Sequence, residues 1–280
     1  MAQREWQNLN IDCLVEVFKW VGMESLLLSI PLVCKSWYKA TLDPKCWQIL
    51  VFPDIRCSEK LPRPMTMHFV HSYSLSWHHF PNASFAKFVV SRGQRSATSL
   101  VLPGTCAYQA LEYISDECPD LKFLGLSLDL LYHNGPVIAN LISKWKNLQV
   151  LSIGHCYMLN EMFAQLRLHC KNFVGLIFCY SWIGHEEAFA IARMPKIKYL
   201  SFRKVHFHQN NLLMILQSCR ELELLDLRDC SGFDYGNETR KLASHIKTFR
   251  CERSSSSEEE DDYHYYAEEE QARLVYRKIM

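Results

Sequence analysis

Leu148-Gln149-Val150-Leu151-Ser152-Ile153 and, earlier in the chain, Leu121-Lys122-Phe123-Leu124-Gly125-Leu126 share one frame: an apolar residue, two of any kind, an apolar residue, one of any kind, and a third apolar residue. The frame recurs at Ala97/Leu100/Leu102, Phe173/Leu176/Phe178, Ile197/Leu200/Phe202, Leu222/Leu225/Leu227 and Ile246/Phe249/Cys251. From Ala97 to Ile246 each first position follows the one before it at a near-constant interval. A constant period of roughly 25 residues marks stacked supersecondary units, each too small to bury its apolar face alone. The frame itself suits a short strand, because alternate side chains on a strand point to opposite sides.

Between the frames the apolar spacing predicts helices around Tyr108–Glu117, Val137–Trp145, Glu161–His169, Glu186–Arg193 and Asn211–Gln217. Gly135-Pro136 reads as a turn followed by a favourable first helical position. Cys118, Cys170 and Cys219 each stand three residues before a first anchor, and Cys156 and Cys230 three after a third. A strand and a helix in each unit, with cysteine in a repeated slot, resembles the cysteine-containing subclass of leucine-rich repeats. The cysteines are then expected to be small, buried, reduced residues.

Outward from the repeats, the stretch before Val51 has a different texture. Leu14, Val17, Phe18 and Val21 fall at i, i+3, i+4 and i+7 of a first helix, which Gly22 is expected to stop. Leu26, Leu27, Leu28 and Ile30 follow as a second helix closed by Pro31, and the third reads Val33-Cys34-Lys35-Ser36-Trp37. Three short helices in so small a segment cannot bury that much apolar surface on one another, so a partner is implied. Asn8-Leu9, Val33-Cys34-Lys35-Ser36-Trp37, Asp43-Pro44 and Trp47 resemble an F-box over residues 6–47, with Asn10 where the family usually has proline. The F-box together with the repeats is similar to the plant-type F-box/leucine-rich-repeat family, and this resemblance covers residues 1 to about 251.

Composition is compatible with that architecture. Hydrophobic residues make up 49% and aromatic ones 12% of 280 residues, enough for a sizeable core. Residues 1–251 carry 27 bases against 21 acids, and residues 252–280 carry 4 against 9. The body is too weakly basic for nucleic-acid binding to be expected. The polar start Met-Ala-Gln-Arg-Glu-Trp has no signal-peptide core, and no run of about 18 apolar residues occurs, so a soluble intracellular protein of the nucleus or cytoplasm, with no membrane contact, is expected. The twelve cysteines include no Cys-x-x-Cys pair, and His155-Cys156 and His169-Cys170 lack a finger spacing, so no metal is expected. The cysteines have neither a nucleophile-elbow nor a Gly-rich phosphate-loop context, and no catalytic residue is identified. The predicted organisation is α/β: a three-helix F-box at 1–50, a connector at 51–81 rich in proline, histidine and aromatic residues, a solenoid of about seven strand-helix units at 82–251, and a disordered acidic tail at 252–280.

The resemblance implies a non-catalytic receptor subunit of an SCF-type cullin–RING ubiquitin ligase, with no cofactor. Its F-box would bind a Skp-type adaptor, and through it cullin and RING subunits, by Leu9, Leu14, Val17, Val21, Leu27, Val33, Cys34 and Trp37. The repeats would hold an unknown substrate protein. A repeat scaffold with no role in degradation is the alternative. On the face opposite the anchors, the column after the third anchor reads Pro103, Ser127, Gly154, Cys179, Arg203, Arg228. The column before that anchor reads Val101, Gly125, Ser152, Ile177, Ser201, Asp226, Arg250. Charge gathers in the last three units, so Tyr199, Arg203, Asp226, Arg228 and Arg250 are expected to sit together as a substrate site for an acidic or phosphorylated segment.

Overall fold

A computed structural model describes residues 9–52, 82–102, 106, 108–154, 158–179, 181–194 and 196–251. Most of the expected connector, the acidic tail, Pro103 and Cys156 lie outside the described residues. The chain divides into two compact units, residues 1–121 and 122–280.

The first unit opens with α1 (Ile11–Phe18), whose start is fixed by Asn10: its side-chain oxygen accepts from the Asp12 N–H at 3.2 Å. Leu14, Val15 and Phe18 are buried while Val17 is 44% exposed. At about 100° per residue, Val17 falls roughly 100° from the direction those three share, so the predicted stripe is split between core and surface. The helix ends at Phe18, four residues before Gly22, and Gly22 instead opens α2 (Met23–Leu28) with φ +83°. Nothing lies within 4 Å of a Cβ built there, so it is the backbone conformation that requires glycine. Pro31 sits in a 3-10 turn, Ile30–Leu32, and α3 (Lys35–Thr41) begins two residues later than expected, after an extended Cys34. Asp43 caps a second 3-10 turn, Pro44–Trp47, by accepting from the Lys45 N–H at 2.8 Å. Trp47 is 2% exposed and donates its indole N–H to the Thr41 carbonyl at 2.7 Å, which pins this turn to α3.

The chain then enters β1 (Ile49–Val51), a strand absent from the sequence-based expectation. It pairs in parallel with β2 (Ser99–Leu102), Ile49 opposite Ser99 and Val51 opposite Val101. Between them stands α4 (Asn82–Arg92), and α5 (Tyr108–Glu117) follows β2. Phe52 meets Phe85 of α4 edge-on at 6.1 Å.

The second unit alternates strands and helices: β3 (Phe123–Leu126), α6 (Leu128–Leu141), β4 (Val150–Ile153), α7 (Leu159–His169), β5 (Gly175–Cys179), β6 (Trp182–Ile183), α8 (His185–Ala192), β7 (Tyr199–Arg203), β8 (His206–Phe207), α9 (Gln209–Ser218), β9 (Leu224–Asp226), α10 (Asn237–Ala243) and β10 (Thr248–Arg250). All pairs are parallel, in the order β3-β4-β5-β7-β9-β10, with β6 and β8 in a separate two-stranded ladder. This is the repeat solenoid that the period predicts, and every predicted frame from Leu121 onward has its strand. The period is enforced by one recurring contact. The carbonyl one residue after the first anchors Leu121, Leu148, Phe173 and Ile197 accepts two N–H groups from the next unit: Lys122 from Gln149 and Val150, Gln149 from Val174 and Gly175, Val174 from Lys198 and Tyr199, Lys198 from Glu223 and Leu224, while Glu223 accepts from Thr248.

The anchors fill the core. Leu124, Leu151, Leu176, Leu200 and Leu225 are 0% exposed, and Phe178 stacks on Phe202 at 5.8 Å while Phe163 meets Phe178 edge-on at 6.0 Å. In the last unit Phe249 is only half-buried, and Tyr235 stacks on it at 5.1 Å beneath the Arg240 guanidinium. From Leu121 onward, the slot three residues before each first anchor is buried, and it takes Cys118, Trp145, Cys170, Met194, Cys219 and Ala243 in turn. The Cys170 thiol donates to the Trp145 carbonyl at 3.4 Å, so residues of neighbouring slots touch.

Other features also depart from the sequence-based expectation, which placed no helix at α4 or α10. The helix placed at Val137 begins nine residues earlier, at Leu128, with Ser127 accepting from the Leu130 N–H, and Pro136 lies inside it. An internal proline removes a donor and crowds the carbonyl four residues back. Here the burial of Leu130, Leu131, Ile138 and Ala139 outweighs that cost. The strands β6 and β8 were also unforeseen. Ile183 and Phe207, both 0% exposed, stand five residues after the third anchors Phe178 and Phe202, a second period that the chain carries beside the frame.

Burial raises the thiol pKa of Cys118 and Cys219 to about 12 and of Cys170 to about 11, with Glu117 adding to the Cys118 shift. These thiols stay protonated at pH 8, so a thiol reagent is expected to miss all three in the native protein and to label them in denaturant; rapid native labelling overturns the register. A Cβ at Gly175 would meet Val150 Cγ2 at 2.9 Å. Gly175→Ala is therefore expected to destabilise by about 1–3 kcal/mol, measured by denaturant unfolding, and Val150→Ala in the same chain is expected to cost less than it does alone.

Candidate functional site

Two surfaces carry the residues singled out by sequence, one in each unit. In the first unit, α1, α2 and the Ile30–Leu32 turn converge with Trp37 of α3 to form an apolar groove of about 260 Å³. Leu14, Val17, Phe18, Val21, Ser25, Ser29, Ile30 and Trp37 line it. Phe18 meets Trp37 edge-on at 5.2 Å, which sets one wall. Of the expected adaptor residues the groove gathers Leu14, Val17, Val21 and Trp37. Leu9 (36% exposed) and Val33 (56%) lie outside it on the surface, and Leu27 and Cys34 are half-buried. Leu14 is only 1% exposed, so it serves the fold of the three helices more than any contact with a partner.

Sequence reading missed much of the apolar surface. Among the described residues fourteen large hydrophobic side chains are exposed, and eight lie between Leu9 and Leu42: Ile11, Trp20, Leu32, Tyr38 and Leu42 join Leu9, Val17 and Val33. Their concentration in so short a span leaves an apolar surface exposed among the described residues of this unit. A signal was present for Ile11, which stands three residues before Leu14 and seven before Phe18 on the same helical stripe. Lys19 hydrogen-bonds Glu16 beside this surface and holds the Glu16 carboxyl below the usual carboxylate range.

In the second unit the charged residues meet at the carboxyl ends of β7, β9 and β10. Register places Ser201, Asp226 and Arg250 side by side and Arg203 beside Cys179. Asp226 is 4% exposed and is held by Arg228 in a two-pronged ion pair, with Nε 2.9 and 3.1 Å from the two carboxylate oxygens and Nη2 2.6 Å from Oδ2. The backbone N–H of Arg228 donates to the same carboxylate at 3.2 Å. Arg203 Nη2 lies 3.8 Å from Asp229 Oδ2 of the next unit. Arg250 is exposed and takes no part in an ion pair among the described residues. Tyr199 does not join them: it begins β7 opposite Leu224, four residues and roughly 13 Å along the strand from Arg203.

Two members of this group were missed. Lys204 and Asp229 each stand two residues after a third anchor and adopt positive φ, 50° and 60°. Such backbone is uncommon outside glycine, and Asp is among the residues that adopt it most readily. The turn at Asp229 is what carries its carboxylate back to Arg203. Beyond this cluster, Trp182 (51% exposed) meets His208 edge-on at 5.9 Å, and His208 meets His206 at 5.8 Å. Among the described residues no group of three His, Cys, Asp or Glu is placed to hold a metal, and no helix is long and apolar enough to cross a membrane.

Residues 6–49, which contain the apolar groove, match the F-box domain. The chain is 27% identical over 247 residues to F-box protein FBW2 of Arabidopsis thaliana, an alignment covering 84% of this chain and 71% of that one. It is 24% identical over 261 residues to F-box/LRR-repeat protein 23 of the same plant, covering 90% of this chain and about half (54%) of that protein, and 25% identical over 238 residues to F-box/LRR-repeat protein At3g48880, covering 83% and 74%. The chain carries an F-box followed by a parallel strand-helix solenoid, and is similar in both parts to the F-box/leucine-rich-repeat proteins of plants.

Proposed function

We propose that this chain is the substrate-recognition subunit of an SCF-type cullin–RING ubiquitin ligase of the nucleus or cytoplasm. The observation that carries this is the uncovered apolar surface between Leu9 and Leu42, within the residues that match an F-box. An F-box of this kind binds a Skp-type adaptor, which joins it to cullin and RING subunits. Val17 and Trp37 in the groove, with Leu9 and Val33 beside it, supply the exposed contact. Val21 also lines the groove, Leu27 and Cys34 are half-buried, and buried Leu14 supports the groove from beneath. The domains follow as F-box at 1–50, connector at 51–81, repeats at 82–251 and acidic tail at 252–280.

The chain has no catalytic task in this assembly. It raises the concentration of a bound protein near the loaded conjugating enzyme, and transfer chemistry belongs to the other subunits. The substrate surface is the charged end of the repeats, where Arg203, Arg228 and Arg250, with Asp226 as an orienting partner and Tyr199 further along β7, suit an acidic or phosphorylated segment.

Val17 and Val33 are both exposed, so replacing them leaves the helices intact and acts on the interface alone. In the full chain, Val17→Asp with Val33→Asp is expected to weaken adaptor binding at least tenfold, about 1.4 kcal/mol, in a titration against purified Skp-type adaptor, with the circular dichroism spectrum unchanged. Undiminished adaptor binding by that variant would rule out this surface and the ligase role with it.

A further inference from the structure

The charged end of the repeats and the acidic serine run that follows it lie within a few residues of each other. Three cations, Arg203, Arg228 and Arg250, stand at the ends of β7, β9 and β10 with two carboxylates, Asp226 and Asp229. Asp226 pairs with Arg228 and Asp229 with Arg203, while Arg250 is exposed at the rim and takes no part in an ion pair among the described residues, so these three guanidinium groups outnumber the two carboxylates. The described chain ends at Cys251, directly after Arg250. The sequence continues Glu252-Arg253-Ser254-Ser255-Ser256-Ser257-Glu258-Glu259-Glu260-Asp261-Asp262.

We propose that Ser254–Ser257 are phosphorylated by an acid-directed serine kinase, and that the phosphorylated segment is an intramolecular ligand of the Arg203/Arg228/Arg250 surface. This deepens the proposed function, since it rests on the reading of that surface as the substrate site and supplies its regulation. A kinase with a cationic substrate groove needs acids just after the acceptor. Ser257 has five in succession, and Ser256 and Ser255 each have an acid three residues on. Ser254 has serine at that position, and gains an anion there once Ser257 carries a phosphate. Ser254 is therefore modified last. In each step the γ-phosphoryl of ATP passes to the serine Oγ, ADP leaves, and the hydroxyl proton goes to the base of the kinase.

Reach and charge select this chain's own segment as occupant. An extended chain covers at most about 3.3–3.6 Å per residue, so Ser254 lies within roughly 14 Å of Arg250 and Ser257 within roughly 25 Å. Neighbouring strands are about 4.8 Å apart, which puts β9 and β7 at roughly 5 and 10 Å from β10. All four serines can therefore reach every arginine of the surface. Each phosphate adds about −1.5 to −2 charge and three acceptor oxygens suited to guanidinium pairing. A tethered anion competes with an acidic substrate segment for the same arginines at high effective concentration.

The test uses the full chain in two steps. Incubation with ATP and an acid-directed serine kinase, followed by mass spectrometry, is expected to find phosphate on Ser257, Ser256 and Ser255 first and Ser254 last; absence of phosphate from all four overturns the proposal. A labelled synthetic peptide of residues 252–264, phosphorylated on its four serines, is then titrated onto the full chain carrying Ser254–Ser257→Ala. Binding is expected to be at least fivefold tighter than that of the unphosphorylated peptide, to weaken with salt, and to fall at least fivefold in Arg250→Ala and in Arg203→Ala. Lys247→Ala, which removes an equal charge beside Glu223 at the other end of the strands, is expected to leave it unchanged. Equal loss in all three variants, or in none, overturns the docking. Neither step involves adaptor or substrate, so their failure leaves the ligase reading standing. If the peptide docks as expected but substrate capture ignores the arginine variants, the substrate site lies elsewhere.

Discussion

The repeat depends on one backbone contact, the carbonyl after the first anchors Leu121, Leu148, Phe173 and Ile197 that accepts two N–H groups from the unit that follows. Because this carbonyl is placed by the anchor beside it, the contact couples burial of an apolar side chain to strand register. A slip of one residue would turn Leu151 or Leu176 out of the core. The same arrangement stands within residues 1–121, where the Gln48 carbonyl accepts from Thr98 and Ser99 just after Trp47. There the turn that closes the three-helix segment also starts the strand β1, so Trp47 serves the helices and the strand pair together.

From that constraint the character of the two surfaces follows. Anchors take every second side chain of each strand, which leaves the residues between and after them free to vary. In the early units of residues 122–280 these are small or apolar, as Gly125, Ser152 and Ile177 are. In the last three they become Arg203, Asp226, Arg228 and Arg250. The Asp226–Arg228 pair is local, two residues apart, and is reinforced by the backbone N–H of Arg228. It fixes one guanidinium by a nearly buried carboxylate and so preorganises the strand ends as a surface instead of leaving a set of mobile side chains. At the other end of the chain the physics is reversed. Three short helices and their turns bury Leu14, Val15, Phe18, Met23, Leu26, Ile30 and Trp47 and leave eight large apolar side chains exposed among the described residues, as a segment that small must.

What the sequence alone determined is whatever recurs or is local. The seven frames, the slot before each anchor, the burial of Cys118, Cys170 and Cys219, and the F-box itself were legible, because period and anchor identity are properties of the linear chain. The tertiary structure decided the rest. Pro136 sits within α6 because packing of Leu130, Leu131 and Ile138 outweighs a local penalty, a comparison that propensity cannot make. Val17 faces outward and Leu14 inward because the direction of the core relative to α1 is set by α3, not by spacing within the helix. Tyr199 stands apart from Arg203, and Asp229 turns back to it, because strand length and a positive φ fix distances that residue order leaves open.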